Sequence, residues 1–132
     1  MKDDDEVRTR LQSMGTSEQV IAGGLDGLVS KWEAFAREIE IGYKLDIDSY
    51  RNDVDVRQLI GDLITHVPTI PKEKIRRIHK ADDSVRQSSK IAKCIWSDSI
   101  ARKEGWTAEK NWWYFIIPRN LGGELRGDLD KF

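Results

Sequence analysis

One apolar run dominates this sequence: Trp112-Trp113-Tyr114-Phe115-Ile116-Ile117, closed by Pro118. Each large ring buries about 150–250 Å² when it packs, so these side chains alone can cover one face of a small core. The run is too short for a membrane-spanning helix, which needs about 20 apolar residues. It therefore predicts a packed aromatic segment, with Trp112 or Trp113 buried against the Leu28, Trp32 and Phe35 stripe of an upstream helix. The segment is either the end of a short helix capped by Thr107 or an extended strand.

Upstream of this run, apolar residues recur at the spacing of a helix. The first predicted helix follows a capping box at Thr16–Gln19 and ends at Gly42. Glycines within 23–27 weaken the start of this helix and favour a beginning near Leu25. The stripe consists of Ile21, Leu25, Leu28, Trp32, Phe35, Ile39 and Tyr43, at steps of 3 or 4 residues.

Two further helical regions follow in the same way. Apolar residues between positions 56 and 67 predict a second main helix, capped by Asp53 and stopped by Pro68. Residues 72–104 predict either one helix or two, and the polar residues at 87–89 are the favoured break.

These elements define the expected fold. At 132 residues the chain fits one domain, spanning residues 1–132. We expect an all-α fold, a small bundle of three or four main helices with the aromatic C-terminal segment packed across it. Residues 1–15 are either a short helix or a frayed end. Residues 119–132 are expected to be an irregular tail held by its apolar side chains.

One carboxylate falls on an apolar stripe. Asp82 lies between Ile78 and Val85, which share the buried side of the third helical region. A buried charge needs a partner. We therefore predict an ion pair between Asp82 and either Arg57 or Arg86.

Charge is distributed unevenly along the chain. Residues 1–65 carry 8 basic and 14 acidic side chains, whereas residues 66–132 carry 14 basic and 9 acidic ones. The simplest interpretation is that the two halves face each other in one fold. The alternative is an acidic surface offered to a basic partner.

Cysteine content and the N-terminus favour a cytoplasmic protein. Cys94 is the only cysteine, so an intrachain disulfide is impossible and a reducing compartment is expected. The first six residues contain no apolar region of the signal-peptide type. We interpret Cys94 as a small buried hydrophobe, because neither His66 nor His79 is near it in sequence to activate a thiolate.

Signatures of catalysis and metal binding are missing from the sequence. A calcium loop starting at Asp46 fails because its fifth and twelfth positions are Tyr50 and Arg57. His66 and His79 have no cysteine or carboxylate at ligand spacing, and no glycine-rich loop has the neighbours of a phosphate site. The sequence therefore predicts no metal, no cofactor and no enzymatic activity.

The most concentrated polar segment lies between the first two main helices. It is interpreted either as helix caps with local ion pairs to Arg51 and Arg57, or as an acidic docking surface for a partner. The predicted partner-binding residues are Tyr43, Asp46, Asp48, Tyr50, Asp53 and Asp55.

A basic stretch offers a different partner class. Residues 72–93 carry eight basic and three acidic side chains. A cationic helix face of this kind is typical of groove-reading helices and also of ordinary solvated helices. Because the whole chain is not basic, we rank nucleic-acid binding below protein binding.

The order of these motifs resembles a family of small uncharacterised bacterial proteins. In that family a helix ends in Gly-Tyr, as at Gly42-Tyr43, and a Tyr-x-Asn-Asp-x-Asp-x-Arg segment follows, as at 50–57. A tryptophan-rich stretch before a proline corresponds to 112–118. The resemblance covers residues 32–118, with 67–105 matching loosely. It implies a compact cytoplasmic helical domain and carries no activity.

Three functional hypotheses follow, in order. The first is a protein-binding module of the bacterial immunity or antitoxin type, which neutralises a basic toxin domain through an acidic surface. The second is a nucleic-acid-associated regulator that uses residues 72–93. The third is a small ligand-binding protein or enzyme with a pocket under the tryptophans. No membrane partner is expected.

Overall fold

The computed structural model describes residues 2–131, and the side chains of residues 5–131. This part of the chain is 69% helical, which confirms the all-α prediction and the aromatic cluster near its C-terminal end. The elements in chain order are α1 (Lys2–Ser13), α2 (Glu18–Ile41), α3 (Ile47–His66), α4 (Lys72–Gln87), β1 (Ser89–Ile91), α5 (Asp98–Glu104), a 3-10 turn (Trp112–Tyr114), β2 (Ile116–Pro118) and α6 (Gly123–Asp130).

The core forms where α2 packs against α1, α3 and α4. Leu28, Trp32 and Ile39 of the predicted stripe are buried on α2, and they meet Ile60 of α3 and Ile78 of α4 in one apolar cluster. Removing such side chains from water is the main driving force for assembling the helices. The periodicity of the sequence therefore identified the correct buried faces.

The helix starts differ in detail from the prediction. Ser17, not Thr16, caps α2 by accepting a hydrogen bond from the backbone N–H of Val20 at 3.3 Å. Asp46, not Asp53, caps α3 by accepting from the backbone N–H of Ser49 at 2.9 Å. The sequence contains several aspartates that suit a cap, and only the path of the chain decides between them.

The third helical region is two helices, as the break at 87–89 predicted. α4 ends at Gln87, so residues 72–93 are not one continuous basic helix, which corrects that interpretation. β1 then pairs antiparallel with β2, with Lys90 opposite Ile117. The aromatic run therefore combines both alternatives, since its first part is a 3-10 turn and its last part is a strand.

Both ends of the described chain are ordered elements of the domain. In α1, Leu11 is buried, and Arg10 donates to both carboxylate oxygens of Asp62 at 2.8 and 2.9 Å. At the other end, Leu125 is buried and α6 packs on α3. The expectation of an irregular tail over 119–132 is therefore wrong for α6, which gains its helical form from this packing.

A buried ion pair joins three helices. Arg57 of α3 donates from Nε and Nη2 to the two carboxylate oxygens of Asp82 of α4, at 2.8 and 3.0 Å. Trp32 of α2 donates from Nε1 to the same carboxylate at 2.9 Å. Trp113 is buried and lies over the Arg57 guanidinium at 4.5 Å, while the ring of Trp112 lies 6.4 Å from that of Trp32. The Arg57–Asp82 pair confirms one of the two predicted pairings.

The bend in α2 generates a stability prediction. Gly24 has φ +59° and ψ −155°, a backbone conformation that only glycine adopts readily, and it kinks the helix. Gly24→Ala should therefore lower the free energy of unfolding by about 1–3 kcal/mol. At its neighbour Gly23, which is helical, Gly23→Ala should raise it by about 0.5–1 kcal/mol. Urea denaturation of both variants measures the difference.

The two substitutions are closely matched, because an added Cβ meets no atom within 4 Å at either position. Opposite changes in the free energy of unfolding would therefore show that backbone strain causes the loss in Gly24→Ala. Stabilisation by both substitutions would contradict the kink.

Candidate functional site

The predicted docking segment lies at the corner where α2 turns into α3. Gly42 has φ +132° and ends α2, and the C-terminal tail then fixes the turn. The backbone N–H of Gly122 donates to the Tyr43 carbonyl at 2.7 Å, and the Asn120 side chain donates to the Ile41 carbonyl at 2.8 Å. Any Cβ at Gly122 would collide with that Tyr43 carbonyl. These contacts therefore tie the corner to the C-terminal tail.

The two predicted tyrosines are core residues. Tyr43 and Tyr50 are fully buried, with their ring centroids 5.4 Å apart in an edge-on arrangement beside Phe35. The Tyr50 hydroxyl donates to the Ile116 carbonyl at 3.0 Å, and burial raises its pKa well above the ordinary value. A side chain without exposed surface cannot contact a partner. This placement corrects the prediction for both tyrosines.

Two of the predicted aspartates accept hydrogen bonds from aromatic side chains of the fold. Asp53 accepts a hydrogen bond from the Tyr43 hydroxyl at 2.6 Å. Asp55 accepts from the Tyr114 hydroxyl at 2.7 Å and from Trp96 Nε1 at 3.1 Å, so it ties α3 to the aromatic segment. Burial raises the pKa of each carboxyl, and the hydrogen bonds from the aromatic side chains partly oppose this rise.

The remaining two aspartates are exposed. Asp46 faces solvent while it caps α3, and the hydrogen bond from the Ser49 backbone N–H lowers its pKa. The Asp48 side chain is 84% exposed and lies 3.7 Å from the Arg51 guanidinium. Both carboxylates are accessible to solvent, and their role in partner binding stays a prediction.

Sequence reasoning missed two apolar residues at this corner. Ile41 is 71% exposed and Leu45 is 47% exposed, and both line a cleft of about 330 Å³ together with Glu38 and Lys44. The sequence did indicate that Ile41 is exposed, because this residue falls outside the apolar stripe of α2. We call the exposed surface at this site the corner patch; it consists of Glu38, Ile41, Leu45, Asp46 and Asp48.

Glu38 extends the acidic surface along α2. It also lines a neighbouring cleft of about 380 Å³ that includes Lys31, Asn52 and Asp53. Burial raises the pKa of Glu38, and the negative charge of Asp53 raises it further. The half-buried Asp53 therefore adds its charge to the edge of the corner patch.

Three of the six basic residues of α4 contact side chains of other elements. Lys74 pairs with Asp26 of α2, and Arg77 pairs with Glu33 of α2 at 2.6 Å. Arg86 stacks on the ring of Trp112. These contacts bring the basic and acidic halves of the chain together, as the simplest interpretation of the charge distribution predicted.

The histidines and the cysteine form no metal centre. His66 and His79 line a polar groove of about 500 Å³, where Nδ1 of His66 lies 2.9 Å from the Asp62 carbonyl. Cys94 is fully buried, as expected for a small hydrophobe. Across the described part of the chain, no three His, Cys, Asp or Glu side chains come together to hold a metal ion. Within residues 2–131, no helix has both the length and the apolar character needed to cross a bilayer.

Comparison with known protein families, curated proteins and solved structures found no match for this chain. The resemblance to a family of small bacterial proteins therefore stays a prediction.

The Tyr43–Asp53 contact generates a pH-dependent prediction. Tyr43→Phe removes the hydrogen bond that lowers the Asp53 pKa, so this pKa should rise further above 3.8. It leaves a half-buried carboxylate without this donor, which should cost about 1–3 kcal/mol at neutral pH. The Asp53 carboxyl then holds its proton more tightly in the folded variant than in the unfolded chain. The free energy of unfolding should therefore fall more steeply in Tyr43→Phe than in wild type as pH rises through the Asp53 titration.

Carboxyl NMR titration and urea denaturation measure the two effects. Tyr50→Phe is the matched control, since its hydroxyl donates to a backbone carbonyl and not to Asp53. An Asp53 pKa that moves equally in both variants would show that the Tyr43 contact has no specific role.

Proposed function

We propose that this chain is a protein-binding module that acts without catalysis and that its partner docks on the corner patch. The observation that carries the proposal is the exposure of two large apolar side chains, Ile41 and Leu45, at a corner rimmed by carboxylates. Exposed apolar groups surrounded by polar residues are typical of interaction sites. The two apolar side chains are the proposed anchors of the interface.

The charges of the corner patch define the chemistry of the partner. Glu38, Asp46 and Asp48 supply three carboxylates, and the cations beside them are Lys44 and Arg51, whose guanidinium lies 3.7 Å from Asp48. A complementary partner presents an apolar contact surrounded by lysine and arginine. The charges then accelerate association and favour this partner over others, while the apolar side chains supply binding energy.

The rigidity of the corner supports the same function. Contacts from Asn120 and Gly122 hold the turn in place without a partner. A surface that is already in its binding conformation loses little conformational entropy on association. Ile41 and Leu45 therefore need no rearrangement to be presented.

We assign the module to the bacterial immunity or antitoxin type, acting in the cytoplasm. Toxin domains that attack nucleic acids need cationic surfaces for their substrate, because the phosphate backbone dominates that binding. The same cationic surface complements the corner patch. The acidic character of the corner patch supports the role as a neutraliser, and the resemblance to small bacterial proteins supports a small cytoplasmic helical domain.

The test uses the proteins encoded next to this chain. Each neighbour is expressed in a bacterial host, alone and with this chain, and growth and Kd are measured. We expect one neighbour to arrest growth and wild-type chain to restore it. Ile41→Asp should weaken binding by about thirty-fold, equivalent to about 2 kcal/mol for an anchor residue.

Two further variants sharpen this test. Ile91→Asp is the matched control, because Ile91 is also exposed but lines a different cleft. The double variant Asp46→Lys/Asp48→Lys should chiefly slow association and reduce its salt dependence. Equal weakening by Ile41→Asp and Ile91→Asp would reject the corner patch as the interface. A neighbour that binds but never harms the host would reject the antitoxin role.

A further inference from the structure

A second cleft lies on the two-stranded sheet, beside the ring of Trp112. Its volume is about 410 Å³, within the range of about 300–1,000 Å³ that is usual for small-molecule sites. The corner patch does not contribute to it. The lining residues come from the end of α4, from β1 and from the aromatic segment: Arg86, Ser89, Lys90, Ile91, Ala108, Glu109, Trp112, Phe115 and Ile116.

The walls of the cleft are apolar and partly open to solvent. Ile91 is 89% exposed, and its opposite residue on β2 is Ile116. Trp112 and Phe115 are half-buried and line the same cleft. Aromatic and branched aliphatic side chains with free surface in a concave site suit the apolar body of a ligand.

Two cations flank these apolar walls. Arg86 and Lys90 are both exposed, and neither lies within ion-pair distance of a carboxylate among residues 5–131. The Arg86 guanidinium lies 4.2 Å from the centre of the Trp112 ring. Stacking uses the face of the guanidinium and leaves its in-plane N–H groups able to bind a carboxylate. Glu109 is the single acid on the lining, so the cleft keeps a net positive charge.

A buried hydroxyl completes the site. Ser89 is only 4% exposed, and its Oγ has no hydrogen-bond partner within the described part of the chain. Ser89 lines the cleft beside Lys90 and Ile91 of β1. Buried polar groups in native proteins nearly always have a partner. An acceptor atom of a ligand in the cleft would supply the one that Ser89 lacks.

We propose that this cleft binds an amphipathic carboxylate. The apolar body packs on Trp112, Phe115 and Ile116. Arg86 and Lys90 hold the carboxylate, and Ser89 donates a hydrogen bond to it. Two sources offer this chemistry, namely a small aromatic or aliphatic acid and the C-terminal carboxylate of a peptide that ends in a hydrophobic residue. This site is independent of the corner patch and of the proposed antitoxin role.

Calorimetry and tryptophan fluorescence with defined probes test the proposal. The small probes are 3-phenylpropionate and its uncharged amide, and the peptide probes are a phenylalanine-terminated peptide with a free or an amidated C-terminus. We expect the free acids to bind in about the millimolar range or tighter, and each amide to bind about ten-fold more weakly. The probe that binds more tightly, the small free acid or the peptide with a free C-terminus, identifies the source of the carboxylate.

Variants locate the binding at the cleft. Arg86→Gln should weaken binding of the free acids by about ten-fold or more. Ser89→Ala should weaken it by about three- to ten-fold. Glu109→Gln should tighten binding, because it removes the one opposing charge. Arg76→Gln is the control, since Arg76 is an exposed arginine of α4 outside the cleft. Melting curves establish that each variant is folded.

Two results would overturn the proposal. The first is equal affinity for acid and amide, or no saturable binding of either free acid in the stated range. The second is a loss of affinity in Arg76→Gln as large as that in Arg86→Gln. Neither result affects binding at the corner patch, so the two proposals can fail separately.

Discussion

The buried ion pair between Arg57 and Asp82 is the interaction on which the rest of this fold depends. The Asp82 carboxylate accepts two hydrogen bonds from Arg57 and one from Trp32, so α2, α3 and α4 meet at one charged group. A buried carboxylate costs several kcal/mol of desolvation, which only well-placed donors offset. The guanidinium also supports Trp113, so the aromatic segment is positioned by the same contact.

This arrangement explains why the polar residues of α3 divide into two groups. Three of them, Tyr50, Asp55 and Gln58, turn toward the C-terminal half: Tyr50 donates to the Ile116 carbonyl, Asp55 accepts from Tyr114, and Gln58 accepts from Trp113 Nε1. Asp53 instead accepts from Tyr43. Of the four aspartates between Asp46 and Asp55, Asp46 and Asp48 are the two that face solvent. The acidic segment is therefore structural over most of its length, and Asp46 and Asp48 are the part of it that belongs to the proposed partner-binding surface.

Most of the architecture was predictable from local sequence. The apolar stripes identified the buried faces of α2, α3 and α4, and Gly42, Pro68 and the polar break at 87–89 marked helix ends correctly. The extended end of the aromatic run, which forms β2, was one of two predicted alternatives, whereas β1 was not predicted, because three residues are too few to establish an alternating pattern. The α6 helix was missed because it depends on packing against α3 more than on its own glycine-containing sequence.

The candidate site was predicted only in part, for a physical reason. Tyrosine has an apolar ring and a polar hydroxyl, so its burial depends on whether the fold supplies an acceptor. Asp53 supplies one for Tyr43 and the Ile116 carbonyl one for Tyr50, and neither pairing is visible from spacing along the chain. The exposure of Leu45, a proposed anchor residue, could not be predicted either, because a single leucine between Lys44 and Asp46 carries no periodic signal.

A double-mutant cycle on the buried pair tests the central claim most directly. Arg57→Met and Asp82→Leu are compared singly and together by urea denaturation, with Asp83→Ala as the exposed neighbouring control. Each single substitution should lower the free energy of unfolding by about 3–5 kcal/mol, because it leaves the other charge buried without its partner. The double variant should cost much less than the sum, with a coupling energy above about 1.5 kcal/mol, and the control should stay within about 0.5 kcal/mol of wild type. Additive losses would contradict the account, because the helices would then be held together without this pair.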